Sequence, residues 1–87
     1  MNLNAAGNLV VPAYLTLLAK GYVVSRQRSP DGSENWTAEG KIGHFSADDV
    51  ITLLGVVNVA ETRGDSWRAS DSEIEAFLEK FDDPSRG

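Results

Sequence analysis

The strongest constraint on this chain is the spacing of its apolar residues, which repeats with the period of an α-helix in three segments. Residues 9–20, 46–63 and 70–81 each place apolar side chains three and four positions apart. Residues 22–41 instead alternate and contain a turn, as two paired strands do. We therefore expect three amphipathic helices and a β-hairpin, which is typical of an α+β domain.

Length and composition favour one small domain. The 87 residues predict a single domain over 1–87, with frayed ends at 1–8 and 82–87. Cysteine is absent, which excludes disulfides and thiolate metal ligands. The longest apolar run, 9–19, is broken by Pro12 and is shorter than the roughly 20 residues of a membrane span. No basic residue precedes it as in an export signal, so we expect a cytoplasmic protein outside the membrane.

The first helix is expected to begin after Asn8 as its cap and to end at Gly21, which permits a left-handed backbone. The hairpin that follows turns at 29–33, where proline, aspartate and glycine favour a tight turn. Its return strand, about 34–41, is expected to place Trp36 and Ala38 inward. The predicted inner face of the first helix consists of Val11, Tyr14, Leu15 and Leu18, widened by Val10 and Leu17.

The second helix is expected to be capped by Ser46 and to be the buried central one, because it is apolar on more than one side. Gly55 inside it suggests close packing against a neighbouring element. A short extended segment at 65–69 predicts a third strand, and Ser70 with Glu73 forms a capping box for the last helix. The expected inner faces are Val50, Leu53, Leu54 and Val57 in the second helix, and Ile74, Phe77, Leu78 and Phe81 in the third.

These elements predict a two-layer α+β fold in the order α-β-β-α-β-α, with the helices on one face of a small antiparallel three-stranded sheet. The opposite sheet face is expected to meet water or a partner. The edges of so short a sheet are exposed, so we also expect that two copies could pair through an edge strand as a homodimer. The predicted open face carries Ser25, Gln27, Asn35, Thr37 and Glu39.

Charge is distributed unevenly along the chain, whose net charge is −5. Residues 1–28 contain three cations and no acid, whereas the acids concentrate on the last helix and just after it. An acidic face repels phosphate backbones and attracts basic partners, although it is also what the solvated side of a surface helix looks like. The acids in question are Asp71, Glu73, Glu75, Glu79, Asp82 and Asp83.

No constellation of residues points to catalysis, a cofactor or a metal. Ser46 and Ser70 stand where helix caps belong, and the single histidine, His44, has no second histidine or cysteine to complete a transition-metal site. A His44–aspartate base is the weakest of three functional hypotheses. The leading hypothesis is a non-enzymatic acidic protein-interaction module, such as an inhibitor, an immunity-type protein or a regulatory accessory protein. Its expected partner-binding residues are Trp67, Arg68, Asp71, Glu75 and Glu79.

The alternative hypothesis is single-stranded nucleic-acid binding by the hairpin. Cations interleaved with aromatic side chains are the usual means of such binding. The overall negative charge and the two acids near the hairpin tip, Asp31 and Glu34, oppose it. The residues that this alternative requires are Lys20, Arg26, Arg28, Lys41 and Trp36, with Tyr22 nearby.

Overall fold

The computed structural model describes residues 1–4 and 8–81. Within them lie three helices and three strands in the order α-β-β-β-α-α. This confirms the α+β class and the antiparallel three-stranded sheet, but it corrects the predicted order. The elements are α1 (Val10–Ala19), β1 (Val23–Arg28), β2 (Glu34–Gly40), β3 (Gly43–Ala47), α2 (Val50–Arg63) and α3 (Asp71–Phe81).

The third strand was predicted in the wrong place. It follows β2 directly as β3, joined by a turn in which Gly40 pairs with Gly43 around Lys41 and Ile42. Residues 65–69 form no strand: Gly64–Ser66 is a short 3-10 turn, and the chain then runs irregularly to α3. The signal for β3 was the alternation of residues 43–47, in which Phe45 packs against the core. The serine in this segment suggested a helix cap instead, and that hid the strand.

The two faces of the sheet are divided as the alternation predicts. Thr37 pairs with Ser25 on one side and Ser46 on the other, and the Ser25 and Thr37 hydroxyls are hydrogen-bonded at 2.7 Å on the open face. On the opposite face Ala38 is fully buried and Trp36 is partly buried against the core. The open face is therefore mostly polar, and the opposite face is apolar where Trp36 and Ala38 meet the core.

The core is small and centres on α2. The buried residues in the described part of the chain come from α1, the sheet and α2, together with Tyr22 between α1 and β1, and none comes from α3. Burying so few side chains limits the hydrophobic contribution to folding. The buried set is Ala13, Leu17, Tyr22, Ala38, Val50, Leu53 and Val57, against which Val24, Trp36, Phe45, Ala47 and Leu54 pack.

The predicted inner face of α1 is correct at Leu17, which is fully buried, and wrong at its other members. Ala13 and Leu17 are the α1 residues that reach the core, because α1 packs against α2 through the side of the helix that carries these two residues. The wider apolar side of the helix is left exposed. Its members are Val10, Val11, Tyr14, Leu15 and Leu18.

Helix boundaries also differ from expectation. Ser46 lies within β3, so α2 is capped by Asp49 instead, whose Oδ1 accepts a hydrogen bond from the Thr52 amide at 2.7 Å. Asn8 accepts from the Val10 amide at 3.3 Å, but the residue at the cap position is Leu9. Gly55 does not serve close packing, because a β-carbon there would meet nothing within 4 Å.

Gly21 and Gly40 have the roles that glycine alone can fill. Gly21 ends α1 with φ of +96°, as predicted. A β-carbon at Gly40 would lie 2.6 Å from the Tyr22 ring, so the bare backbone at this position makes room for a buried aromatic side chain. None of the helices in residues 1–4 and 8–81 is long and apolar enough to cross a bilayer.

A polar cluster joins the ends of the elements that form the core. The Glu61 carboxylate of α2 accepts from Lys20 Nζ at 2.7 Å and from the Tyr22 hydroxyl at 3.1 Å. The hydrogen bond from Lys20 lowers the pKa of Glu61. Burial, reinforced by the nearby carboxylate, raises the pKa of Tyr22. The cluster therefore connects the end of α1 and the start of β1 to the last turns of α2.

Candidate protein-interaction surface

The last helix, α3, begins with the capping box that the sequence predicts. The Ser70 hydroxyl accepts from the Glu73 amide at 3.2 Å, and the Glu73 carboxylate accepts from the Ser70 amide at 2.8 Å. Arg63 reaches Glu73 at 3.4 Å from the end of α2. The bond from the Ser70 amide, and secondarily the Arg63 charge, lowers the pKa of Glu73. Local hydrogen bonds thus define where α3 starts.

All eleven residues of α3 are exposed. Phe77 is 59% exposed and Leu78 is 42% exposed, although both lie on the apolar side of an amphipathic helix. Phe77 and Phe81 contact each other, with ring centroids 5.1 Å apart. Over the described residues, α3 makes no extensive contact with the sheet or with α1 or α2. The prediction that its apolar stripe joins the core is therefore wrong.

Trp67 lies on the segment that leads into α3 and is 52% exposed. The Arg68 guanidinium lies over its ring, 5.1 Å from the centroid. The indole also borders a shallow depression of about 450 Å³ on the surface of α2 and β3. This depression is lined by Ile42, Phe45, Ala60, Glu61, Gly64, Asp65 and Trp67. Of the two tryptophans, Trp67 is thus the accessible one, and Trp36 is the one that packs on the core.

The acids predicted to contact a partner are exposed on α3. Asp71 is in its first turn, and Glu75 and Glu79 are four residues apart, which places them on one side of the helix. Together with Trp67 and Arg68, they occupy a continuous segment of 13 residues at one end of the chain. Asp82 and Asp83 lie outside the described residues. The predicted partner-binding residues are therefore close together along the chain and accessible to a partner.

The basic residues of the nucleic-acid hypothesis fall into two groups. Arg26 and Arg28 lie near the hairpin tip, where both contact the Glu34 carboxylate, at 3.7 and 2.6 Å. The hydrogen bond from Arg28 lowers the pKa of Glu34. Arg26 also lies over the Trp36 ring, 5.6 Å from its centroid, and the Trp36 indole donates to Glu34 at 3.0 Å.

The second basic group lies at the other end of the hairpin, where Lys20 and Lys41 border a depression that also contains Glu61. Three of the four cations therefore contact a carboxylate, and the four do not form one strip. Nucleic-acid binding remains a prediction. Fluorescence anisotropy with short single strands at about 50 mM salt would test it, because phosphate contacts are strongest at low salt.

The histidine and the serines occupy ordinary positions. His44 is exposed on β3 and pairs with Glu39 across the open face. Ser70 caps α3, and Ser46 pairs with Thr37. Among the described residues there is no group of three or more metal-binding side chains of the His, Cys, Asp or Glu type.

The exposed apolar sides of α1 and α3 were not predicted from the sequence. A signal for them exists in the number of apolar stripes: three helices each carry one, but a three-stranded sheet of short strands has area for only part of them. The expectation that every stripe joins the core did not consider how few apolar side chains so small a sheet can bury.

Comparisons with known proteins yield no relative. No protein-family model matches the sequence, and no curated protein and no solved structure matches it either. Function must therefore be inferred from the residues of this chain and their arrangement.

Proposed function

We propose that this chain is a small acidic protein-interaction module without catalytic activity, of the inhibitor, immunity-type or regulatory accessory kind. The proposed binding surface is the acidic side of α3 together with Trp67 and Arg68, and the proposed partner is a basic protein. The observation that carries this proposal is the combination, on one exposed segment, of a half-exposed indole and three exposed carboxylates.

The two components would contribute differently to binding. An accessible tryptophan provides a large apolar contact with one hydrogen-bond donor, and such residues dominate the affinity of many interfaces. The Arg68 guanidinium over the indole restricts its orientation before binding. Asp71, Glu75 and Glu79 provide a negative potential, which raises the association rate of a positively charged partner more than its final affinity.

The depression beside Trp67 supplies a receiving surface for one partner side chain. Ile42 and Phe45 form part of its apolar lining, and Glu61 and Asp65 border it with carboxylates. A long basic side chain could lay its methylene groups on the apolar lining and direct its charge to Asp65. This arrangement favours a lysine- or arginine-bearing partner over an acidic one.

The test is affinity capture from the native cell extract with three baits: the unmodified chain, the Glu75→Gln/Glu79→Gln double variant, and Trp67→Ala. We expect a stoichiometric basic partner on the unmodified bait. Losing the tryptophan should weaken binding by roughly 30-fold, the effect of removing an interface hot spot. The double variant should slow association and make it less sensitive to salt.

The matched control is Glu39→Gln/Asp48→Asn, which removes the same charge from exposed positions outside α3. It should bind the captured protein as the unmodified chain does. Equal binding by all four baits, or the absence of any stoichiometric partner, would refute the proposal.

A further inference from the structure

We infer that two copies of this chain associate through their exposed apolar helices, with α3 of each copy packing across α1 of the other. This inference goes beyond the proposed function, because it concerns the apolar side of α3 and not its acidic side. It also replaces the edge-strand pairing expected from the sequence with a helical interface.

The amount of exposed surface is the first reason. A folded monomer of 9.4 kDa is expected to expose about 5,000 Å², whereas this chain exposes 6930 Å². Its radius of gyration is 16.1 Å, compared with about 12 Å for a compact domain of this length. The eleven exposed residues of α3 contribute to this excess.

The two apolar stripes match in length and spacing. Each follows the i, i+3, i+4, i+7 pattern, so each covers about two turns of helix. The helices themselves have 10 and 11 residues. The α1 stripe is Val11, Tyr14, Leu15 and Leu18, with Val10 beside it, and the α3 stripe is Ile74, Phe77, Leu78 and Phe81.

A two-fold arrangement would use both stripes of both copies. Nine large side chains, each about half exposed, would supply on the order of 900 Å² per copy if each offers roughly 200 Å² when fully exposed. A stable interface needs about 800 Å² per partner. A two-fold contact also limits the assembly to two copies. Both stripes of each copy are buried in the same interface, so no apolar helix side remains exposed to bind a third copy.

Charge favours this pairing over α3 with α3. The last helix carries four acids and one lysine, so two copies of it would repel each other along their length. The first helix contains no charged residue, and Lys20 follows its last turn. An antiparallel approach would bring Asp71 of one copy towards that lysine, which also pairs with Glu61 of its own chain. It would leave Glu75 and Glu79 at the solvent side of the interface.

The primary test is the molar mass measured by light scattering during size-exclusion chromatography over a concentration series. The unmodified chain should reach twice 9.4 kDa as concentration rises. Leu15→Asp in α1 and Phe77→Asp in α3 should each raise the dissociation constant by roughly 30-fold or more. Both residues are exposed in the single chain, so circular dichroism of the diluted variants should match that of the unmodified chain.

Val23→Asp is the matched control, since it replaces an exposed apolar residue on the edge strand β1. It should leave the dimer intact. Dissociation by Val23→Asp with no effect of the helix variants would overturn the inference in favour of an edge-strand dimer. A mass that stays at 9.4 kDa at every concentration would overturn it entirely.

The second test uses the absence of native cysteine. Leu15→Cys and Leu78→Cys are introduced into separate chains, which are mixed and treated with a short bismaleimide. We expect crosslinked mixed dimers, and we expect few in a control mixture of Gln27→Cys with Leu78→Cys. A chain carrying both Leu15→Cys and Leu78→Cys that crosslinks only to itself would instead place α3 on its own α1. None of these outcomes depends on Glu75, Glu79 or Trp67, so failure here leaves the proposed function open.

Discussion

Two helices of this chain, α2 and α3, carry similar apolar patterns, but the apolar side of one is buried and that of the other is exposed. In α2 the stripe residues Val50, Leu53 and Val57 are buried beneath the sheet and α1. In α3 an equally regular stripe is exposed along its whole length. Periodicity thus determines which side of a helix is apolar. Whether that side is buried depends on where the other elements lie.

Leucine truncation should separate the two helices most clearly. Leu53 is fully buried and Leu78 is 42% exposed. We expect Leu53→Ala to reduce the free energy of unfolding by about 2–5 kcal/mol, because it leaves a cavity in the core. Leu78→Ala should cost less than about 0.5 kcal/mol in dilute solution, where the single chain predominates.

Urea unfolding followed by Trp36 fluorescence, in a Trp67→Phe background, measures both effects. If α3 dimerises as inferred, the cost of Leu78→Ala should grow with protein concentration, whereas the cost of Leu53→Ala should not depend on whether the dimer forms. A large, concentration-independent cost of Leu78→Ala would mean that α3 belongs to the core of its own chain, and the two helices would then not differ in kind.

Exchanging glycine and alanine should also distinguish α2 from α3. Inside a helix the two residues differ by about 1 kcal/mol in their contribution to stability. Gly55 is an exposed position inside α2 with open space around it, so Gly55→Ala should stabilise the whole fold by about 0.5–1 kcal/mol. Ala76→Gly removes a similar preference from the middle of α3. Its effect should appear as faster hydrogen exchange of the α3 amides at low concentration, with little change in the urea midpoint.

Unchanged stability on Gly55→Ala would mean that the glycine has a contact beyond the single chain. A midpoint shifted as much by Ala76→Gly as by Gly55→Ala would mean that α3 unfolds together with the core. In either case the division between a cooperative α2 and an independent α3 would need revision.

Much of the fold was predictable because local rules and tertiary packing agree there. The capping box at Ser70 and the stop at Gly21 depend on hydrogen bonds and backbone angles within a few residues. The inward positions of Trp36 and Ala38 follow from strand alternation alone. These features are fixed by neighbours in sequence, so the sequence is sufficient to find them.

The rest depended on competition between distant segments. Residues 43–47 and 65–69 are both short and have the pattern of an extended segment. The first of them begins after a two-residue turn from β2, and this position allows it to pair with β2 as the next strand of a meander. In α1 the small Ala13 side faces α2 in place of the larger stripe. No local rule states which of two apolar sides will be covered. The proposed site was found by its charge and its tryptophan, while the exposed apolar sides required knowledge of what surrounds them.

Acid titration should give the smallest difference between the helices, because the carboxylates involved are exposed and partly screened by water. Glu61 near the end of α2 and Glu73 at the start of α3 both have a pKa lowered from 4.5 by hydrogen-bond donors. A lowered folded-state pKa contributes stability that is present above the unfolded value and is lost as pH falls through the folded one. The effect should therefore appear below about pH 4.5, the ordinary value of both groups.

The donors of the two carboxylates determine which part of the molecule responds. Glu61 accepts from Lys20 and Tyr22, which lie in the connection between α1 and β1, so Glu61→Gln should lower the urea midpoint at pH 7 and reduce its dependence on acid. Glu73 accepts from the Ser70 amide, so Glu73→Gln should change only the acid dependence of α3 hydrogen exchange. Glu39→Gln, on the open sheet face, serves as the control for removing one carboxylate. The contrary outcome is that Glu73→Gln changes the pH dependence of the urea midpoint as much as Glu61→Gln does. In that case α3 unfolds together with the core, to which Arg63 links it, and its apolar stripe is not available for pairing with a second copy.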